Sequence, residues 1–494
     1  MQFRVAQLAA GTASALAAVG TTEFVAVLTG LRSPLDDAVR ISVDRSPALV
    51  VETTVRVLGV ADKPVARASA LAVIALASTG AACRGRRAAA AAPVLGAAAG
   101  LLAARRRPPL DPVPLQAVAL GAGAAAGVAA ALARPRVAAL LALGGAAGLL
   151  ASLRSRGGAQ RKARAEALSE RLIADVALPP PLDGAEHWPG AAPLHTPLNA
   201  MYVTDVNMRP PRIDRATWRL TVDGAVGEPC ELSDSDLLTL GTVELDATLV
   251  CIHSRPGWHR LAHQRFTGVP FARVLAAAGG ALPGAVDLQE TAVDGYTMRR
   301  PITVPDDALV VLGIGGRRLA PEHGAPARLL VPGFYGQYAG VKWLRRLTVL
   351  NHEGSFYWAS RGWPAEPREV RPMSRIDAVG GTPVPVRADL RSYHVVMPVT
   401  AGSVAVVGTA WAPVRGVDRV QVRVDEGPWH DAELAGETSP RSWRRWRCDV
   451  AVRAGARRLQ VRCAERATGW QNPSPRSPHP LDATGLHQVL ITTR

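Results

Sequence analysis

The 494-residue chain carries 57 Lys+Arg against 41 Asp+Glu, a formal net charge of +16, with 48% hydrophobic and 20% charged residues. That balance excludes a disordered chain, and the length provides for about three domains. It does not mark a nucleic-acid binder either: residues 1–165 hold 20 Lys+Arg against 7 Asp+Glu, a net of +13, and the remaining 329 residues carry only +3.

The first third contains no His, Trp or Tyr, and its only Met is Met1. Apolar stretches Val5–Leu31, Val65–Ala82, Ala88–Ala104, Val113–Ala133 and Val137–Leu153 alternate with short arginine clusters. A membrane helix needs about 20 apolar residues, and the Ala/Gly content lets such helices pack closely. The pattern predicts an all-α bundle of about five membrane spans over 1–155, in contact with the lipid bilayer. With the amino terminus outside, Arg32, Arg40, Arg45, Arg56, Lys63, Arg105–Arg107 and five residues from Arg154 to Arg164 face the cytoplasm, 13 basic residues against six. The excess of positive charge favours a plasma-membrane protein with a cytoplasmic carboxyl-terminal part. Glu23, an acid inside the first span, is a candidate for proton handling or for a hydrogen bond to a neighbouring helix.

Residues 156–192 read as a linker, a charged helical piece over 159–177 followed by a Pro-rich stretch. From 193 to 372 short β-type runs alternate with Gly/Pro turns, and Ser233–Leu240 and Pro270–Ala278 read as short helices, which predicts an α+β domain. From 373 to 494 period-two runs such as Val417–Val424 predict a β-sandwich of immunoglobulin type. The five cysteines (83, 230, 251, 448, 463) are odd in number and widely spaced, without CxxC or CxxCH, so neither a disulfide framework, an iron–sulfur centre nor covalent haem is expected.

Chemistry concentrates in two windows. In the first, Leu249–Arg260, Cys251 ends an apolar strand and is followed by His253, Arg255, His259 and, further on, His263. Spacing alone leaves three readings: a buried cysteine packed as a small hydrophobe, a zinc site of Cys251, His253, His259 and His263, or a thiolate ligand of another metal. The second window, His323 to Leu344, interleaves His323, Arg328 and Lys342 with glycines that let backbone approach a ligand, as an anionic phosphate-bearing group requires.

Together the windows resemble the sulfite oxidase family of molybdopterin enzymes. The resemblance rests on the run His323-Gly-x-Pro-x-Arg328-x-x-Val-Pro332-Gly333-x-x-Gly336, continued by Val341-Lys342-Trp343-Leu344, with Asp294-Gly295-Tyr296 upstream and Arg361-Gly362-Trp363-Pro364 downstream. It covers about residues 193–494 and implies a molybdenum–molybdopterin cofactor bound through the Cys251 thiolate. It further implies that His323, Arg328 and Lys342 hold the pterin and its phosphate. Asn199, Tyr202, Val203 and Thr291, with the backbone of Gly340 and Val341, are implied contacts. Tyr296 and Arg255 are implied near the reacting centre, and the trailing sandwich is implied to be a dimerisation-type module that would pair two copies.

The implied reaction is a two-electron oxygen-atom transfer to or from a small oxyanion or an S- or N-oxide, with electrons exchanged with a separate carrier or with quinone. The chain departs from the family pattern at Thr204, where an arginine is expected, and around Arg255, which Pro256 follows; Arg415 in the sandwich is a loose substitute. The other classes of function the sequence leaves open are a zinc-dependent hydrolase and a cofactor-free membrane scaffold.

Overall fold

The structure, a computed structural model, describes residues 2–46, 50, 54, 62–105, 113–385 and 396–493. Arg56, Arg106 and Arg107, which entered the orientation count, lie outside the described residues. The chain divides into two units, Met1–Glu166 with Asp205–Pro211, and Ala167–Thr204 with Arg212–Arg494.

The first unit is helical: α1 (Gln2–Leu28), α2 (Pro34–Arg45), α3 (Asp62–Cys83), α4 (Arg86–Arg105), α5 (Val113–Leu132) and α6 (Pro135–Ser169). Four of the five apolar stretches lie in helices long and apolar enough to cross a membrane, and Arg87–Leu101 is a shorter apolar helix. Small residues let α1 and α6 touch backbone to backbone, since a Cβ on Gly20 would sit 1.8 Å from the Gly145 carbonyl oxygen. Glu23 takes the second of its two readings. It accepts hydrogen bonds from Ser33 Oγ (2.8 Å), Leu35 N (2.8 Å) and Ser152 Oγ (3.3 Å) and lies 3.8 Å from Arg156, so it ties α1 to α6 and to the start of α2. The α2 helix, absent from the sequence reading, is opened by Ser33, whose side chain accepts from Asp36 N. Polar groups near this end hold the segment Asp205–Pro211: Lys63 pairs with Asp205 at 3.1 Å, Arg209 with Asp36 at 3.2 Å, and Arg67 donates to the Met208 carbonyl at 3.2 Å.

In the expected linker, α6 runs unbroken from the last apolar stretch to Ser169. The chain beyond it is not a free spacer. Arg171 and Val176 form bridges to Arg317 and Val243, Trp188 is buried, and buried Asp183 pairs with Arg445. Backbone donors and one buried carboxylate are satisfied by this packing, which the Pro-rich composition concealed.

In the second unit the α+β part contains β1 (Leu220–Gly224), β2 (Cys230–Leu232), α7 (Asp234–Thr239), β3 (Val243–Val250), β4 (Leu261–Pro270), α8 (Phe271–Ala277), β5 (Asp287–Ala292), β6 (Thr297–Pro301), β7 (Leu309–Ile314), β8 (Arg317–Arg318), β9 (Arg328–Leu330) and β10 (Leu344–Leu350). One sheet has the order β2-β1-β10-β5-β6; the other runs β3-β4-β7-β8, with β9 paired to β7. Ser233 caps α7 through a capping box with Asp236. Leu220, Leu288, Met298, Leu312 and Leu344 are among the fully buried residues of the core.

The carboxyl-terminal part contains β11 (Met373–Val379), β12 (Thr382–Pro383), β13 (Val396–Val399), β14 (Gly402–Trp411), β15 (Val417–Val424), β16 (His430–Asp431), β17 (Glu433–Leu434), β18 (Arg444–Val452), β19 (Gly455–Glu465), β20 (Gly469–Trp470) and β21 (His487–Thr493). Its sheets, β12-β11-β14-β18-β17 and β13-β21-β19-β15-β16, share a core of Val406, Val420, Trp446, Val461 and Val489. Strand alternation turns these apolar side chains into the core, while polar residues such as Thr409, Gln421 and Arg445 are also buried.

Candidate functional site

The β3–β4 connection is a tight loop. Cys251 N donates to the Arg260 carbonyl (2.9 Å), Ser254 N to the Cys251 carbonyl (2.8 Å) and Trp258 N to the Arg255 carbonyl (3.0 Å). Cys251 is 6% exposed. Burial opposes its ionisation, yet the hydrogen bond and charge of His253, with Arg260, hold the thiol below its ordinary pKa. A buried cysteine that leans toward thiolate suits a metal ligand better than an inert core residue. The Arg255 guanidinium lies 5.4 Å from the Trp258 ring, and its Nε is buried without a partner.

Segment 196–203 reaches this loop because β4 anchors it. Thr196 N donates to the His263 carbonyl (2.8 Å), and His263 N donates to Thr196 Oγ1 (3.1 Å). Tyr202 is partly buried; burial raises its phenol well above the ordinary range, Cys251 raises it further, and Arg328 and Arg260 act in the opposite sense. Tyr202, Cys251, Arg328 and Arg260 therefore share one electrostatic environment. Asn199 and Val203, from the same segment, are exposed.

The second window closes on the first. Gly336 N donates to the Val250 carbonyl (2.7 Å), and a Cβ there would stand 3.2 Å from the Tyr202 hydroxyl. Gly324, at φ +110°, brings its loop against two cations, since a Cβ would meet Lys342 Cβ at 3.1 Å and Arg328 Cβ at 3.2 Å. His323 is buried in the short turn Pro321–His323, and Lys342 Nζ donates to the Glu322 carbonyl at 3.1 Å. Arg328 is 4% exposed, its Nε is buried without a partner, and burial lowers its pKa, with Tyr202 and Glu290 opposing.

Other expected residues stand differently. Val341 N donates to Glu290 Oε2 (2.9 Å) and its carbonyl accepts from Leu329 N (3.1 Å), so both backbone groups expected to meet a ligand are engaged within the chain. Thr291 lies in β5 opposite Thr297. Tyr296 stacks on Tyr357 at 5.2 Å, and its phenol is raised by burial and by Glu290, with a hydrogen bond to Trp358 opposing. Arg415 pairs with Glu465 and Glu369, each at 3.3 Å, and Thr204 is exposed. Arg260 and Gly324 belong to the site although the sequence reading gave them no role; their signals were a cation closing the cysteine window and the glycine after His323.

The zinc quartet does not assemble. His253 meets Trp363 edge-on at 5.2 Å, whereas His263 lies against His195 (5.2 Å) and Trp443 (5.5 Å). Among the described residues the one group with converging metal-type ligands is His195, Asp246 and His263, without Cys251. There Arg265 already grips both Asp246 oxygens (2.9 and 2.7 Å) and His195 lies 3.2 Å from the first, so the carboxylate is spent on an ion-pair network.

Comparison with known proteins agrees with this geometry. Residues 207–358 match the family described as oxidoreductase molybdopterin binding domain. Human mitochondrial sulfite oxidase is 28% identical over 319 residues, covering 57% of this chain and 58% of that protein. Barley NAD(P)H nitrate reductase is 26% identical over 320 residues, covering 53% of this chain and 35% of that protein. The matched length is thus little more than half of the first of these relatives. The sulfane dehydrogenase SoxCD of Paracoccus pantotrophus shares the fold, with a TM-score of 0.51 at 21% identity, covering 65% of this chain and 88% of that one.

The cofactor this family implies fits the residues present. A pterin phosphate is anionic, and the chain buries Arg328 with an unsatisfied donor between glycines whose Cβ positions the neighbouring chain would fill. A molybdenum ligand needs a thiolate, and Cys251 is the cysteine whose surroundings favour one. Residues 1–166 lie outside the match, and residues 207–358 form a molybdopterin-binding oxidoreductase domain similar to that of the sulfite oxidases.

Proposed function

We propose that the chain is a membrane-anchored molybdopterin-dependent oxidoreductase that carries out a two-electron oxygen-atom transfer on a small oxyanion or an S- or N-oxide. The observation that carries this reading is buried Arg328, with its unsatisfied Nε, in the same electrostatic environment as Tyr202 and Cys251. When bound, the molybdenum–pterin group supplies the two-electron redox change and the exchangeable oxygen. The chain's own residues hold, orient and exclude water. Cys251 is the metal ligand, its thiol held below the ordinary pKa by His253 and Arg260 against the opposing effect of burial. His323, Arg328 and Lys342 hold the anionic end of the pterin, while Asn199, Tyr202, Val203, Thr291 and Gly340 bound its remaining faces. Val341, through its bond to Glu290, fixes the loop that carries Lys342.

Arg255, with an unpartnered Nε and a ring contact to Trp258, is the cation assigned to the substrate. Without an arginine at Thr204, and with Arg415 held by two carboxylates, the site offers fewer guanidinium forks than a sulfite dianion calls for. That favours substrates of lower charge. Tyr296 is the candidate for orienting the substrate oxygen; a Tyr296→Phe protein with unchanged KM and kcat removes it. The helices anchor the enzyme in the plasma membrane, the charge bias assigns the β domains to the cytoplasmic face, and electrons pass to a separate carrier or quinone. The terminal sandwich, of immunoglobulin type, pairs two copies.

Metal and pterin analysis of the purified full chain tests the reading, followed by a screen of sulfite, sulfoxides and N-oxides with artificial electron donors and acceptors. Stoichiometric molybdenum that disappears in Cys251→Ser is the expected result; zinc in its place, or full molybdenum in the variant, refutes it.

A further inference from the structure

The loop that carries Cys251 is not held by its own domain alone. Its tip, Pro256–Trp258, projects toward the terminal sandwich, where Gly257 takes a left-handed φ of +82°. A Cβ on Gly257 would lie 2.2 Å from His487 Cδ2 and 2.4 Å from His487 Nε2, so the imidazole lies directly against the glycine backbone. His487 opens β21, is 6% exposed, and accepts a hydrogen bond at Nδ1 from Ile376 N (2.9 Å), which fixes the ring and leaves the proton on Nε2. One residue before Ile376, Arg375 donates through Nη1 to the Trp258 carbonyl (3.3 Å), and its Nε is held by Asp377. Asp377 in turn accepts from Thr409 Oγ1 at 3.0 Å. Each sheet of the sandwich thus contributes one residue to the tip, Arg375 from β11 and His487 from β21. Pro256 and Gly257 of the tip line one cavity of about 360 Å³ together with Arg375, Asp377 and His487.

We infer that the terminal sandwich is a working part of the metal site, with His487 and Arg375 acting as positioning residues that set the conformation of the Cys251–Arg260 loop. Neither side chain touches Cys251 or the reacting atoms. They act through Gly257 and Trp258, which fix where the loop closes and therefore where Arg255 and Cys251 point. The inference gives the sandwich a task besides pairing copies, and it rests on the reading of Cys251 as the metal ligand.

The test uses the full chain in detergent, prepared without cofactor, as wild type, His487→Ala and Arg375→Gln. Hydrogen exchange is followed in peptides covering 252–260, with peptides from β14 and β18 as the measure of sandwich integrity, and alkylation of Cys251 by iodoacetamide is followed by mass spectrometry. Each variant removes one anchoring contact, so exchange in 252–260 and alkylation at Cys251 are expected to rise on the order of 10-fold, while β14 and β18 stay protected. In the loaded enzyme, substrate KM is expected to rise more than kcat falls. Loop exchange unchanged in both variants overturns the inference, as does loop exchange that accelerates only in step with β14 and β18. A Cys251→Ser protein that keeps its molybdenum refutes the ligand reading instead, and leaves the exchange result standing.

Discussion

A cation buried for a ligand's sake should weaken the protein that lacks the ligand, and Arg328 is where this can be measured. Its guanidinium is 4% exposed, its Nε has no partner, and no ion pair among the described residues reaches it. Replacing buried ionic groups with well-packed apolar side chains of similar volume is often neutral or stabilising by about 1–4 kcal/mol, and Arg328 lacks, among the described residues, even the paired partner such groups usually have. Arg328→Met should therefore raise the stability of cofactor-free protein by an amount in that range, at roughly 2–4 °C in Tm for each kcal/mol. The same change removes a charge-assisted hydrogen bond to the anionic cofactor, a loss of about 1.5–3 kcal/mol, or roughly 10- to 150-fold in affinity. Intrinsic fluorescence suits the melts, because all 11 tryptophans lie beyond residue 165 and report on the β domains alone. Pterin released on denaturation gives the occupancy. A variant that melts lower without cofactor and still carries a full complement of pterin would falsify the argument that Arg328 is held in place for an anion.

The remaining expectations concern pH, backbone and the helices. Burial pushes His263 and His487 down to about 3, with His195 adding to the effect at His263 and Arg375 at His487. The unfolded chain takes up protons near 6.5 that the native state refuses, so stability is lost as pH falls from about 6.5 toward 3. A Tm of the β domains that stays flat between pH 7 and 4.5 contradicts this. Gly324→Ala puts a Cβ against Lys342 and Arg328 at φ +110°, at a cost of about 1–3 kcal/mol; pterin content should fall with little change in far-UV circular dichroism, and full retention would show the loop is not a cradle. Glu23→Leu leaves Arg156 without its carboxylate, a change on the order of 3–5 kcal/mol for a buried pair, and should lower the yield of monodisperse protein in detergent. Glu23→Gln keeps the acceptor for Ser33 and Leu35 and should preserve turnover, whereas lost turnover in folded protein would restore a proton-handling role.

Local chemistry made much of the fold legible. Apolar stretches became helices, period-two runs such as Val417–Val424 became strands at the same residues, and a cysteine at the end of an apolar run emerged at a strand terminus. The strand Leu261–Pro270 was missed because it is buried on both faces, so its polar residues His263 and Gln264 lie inside with partners that only the fold supplies. The pattern from His323 to Leu344 disclosed the cofactor class, because glycines and cations at fixed spacing reflect what a ligand demands of one loop.

What the sequence by itself determined was therefore each element's character and the set of candidates for meeting the cofactor. Tertiary structure decided which of several equal candidates is free to act. Val341 N–H is spent on Glu290, 51 residues away in sequence, Arg415 is held by Glu369 and Glu465, and the histidines that follow Cys251 diverge to Trp363 and to Asp246's network. A hydrogen bond or an ion pair between distant residues leaves no period in the chain. Whether a side chain is spent or available is settled only when the fold has chosen its neighbours.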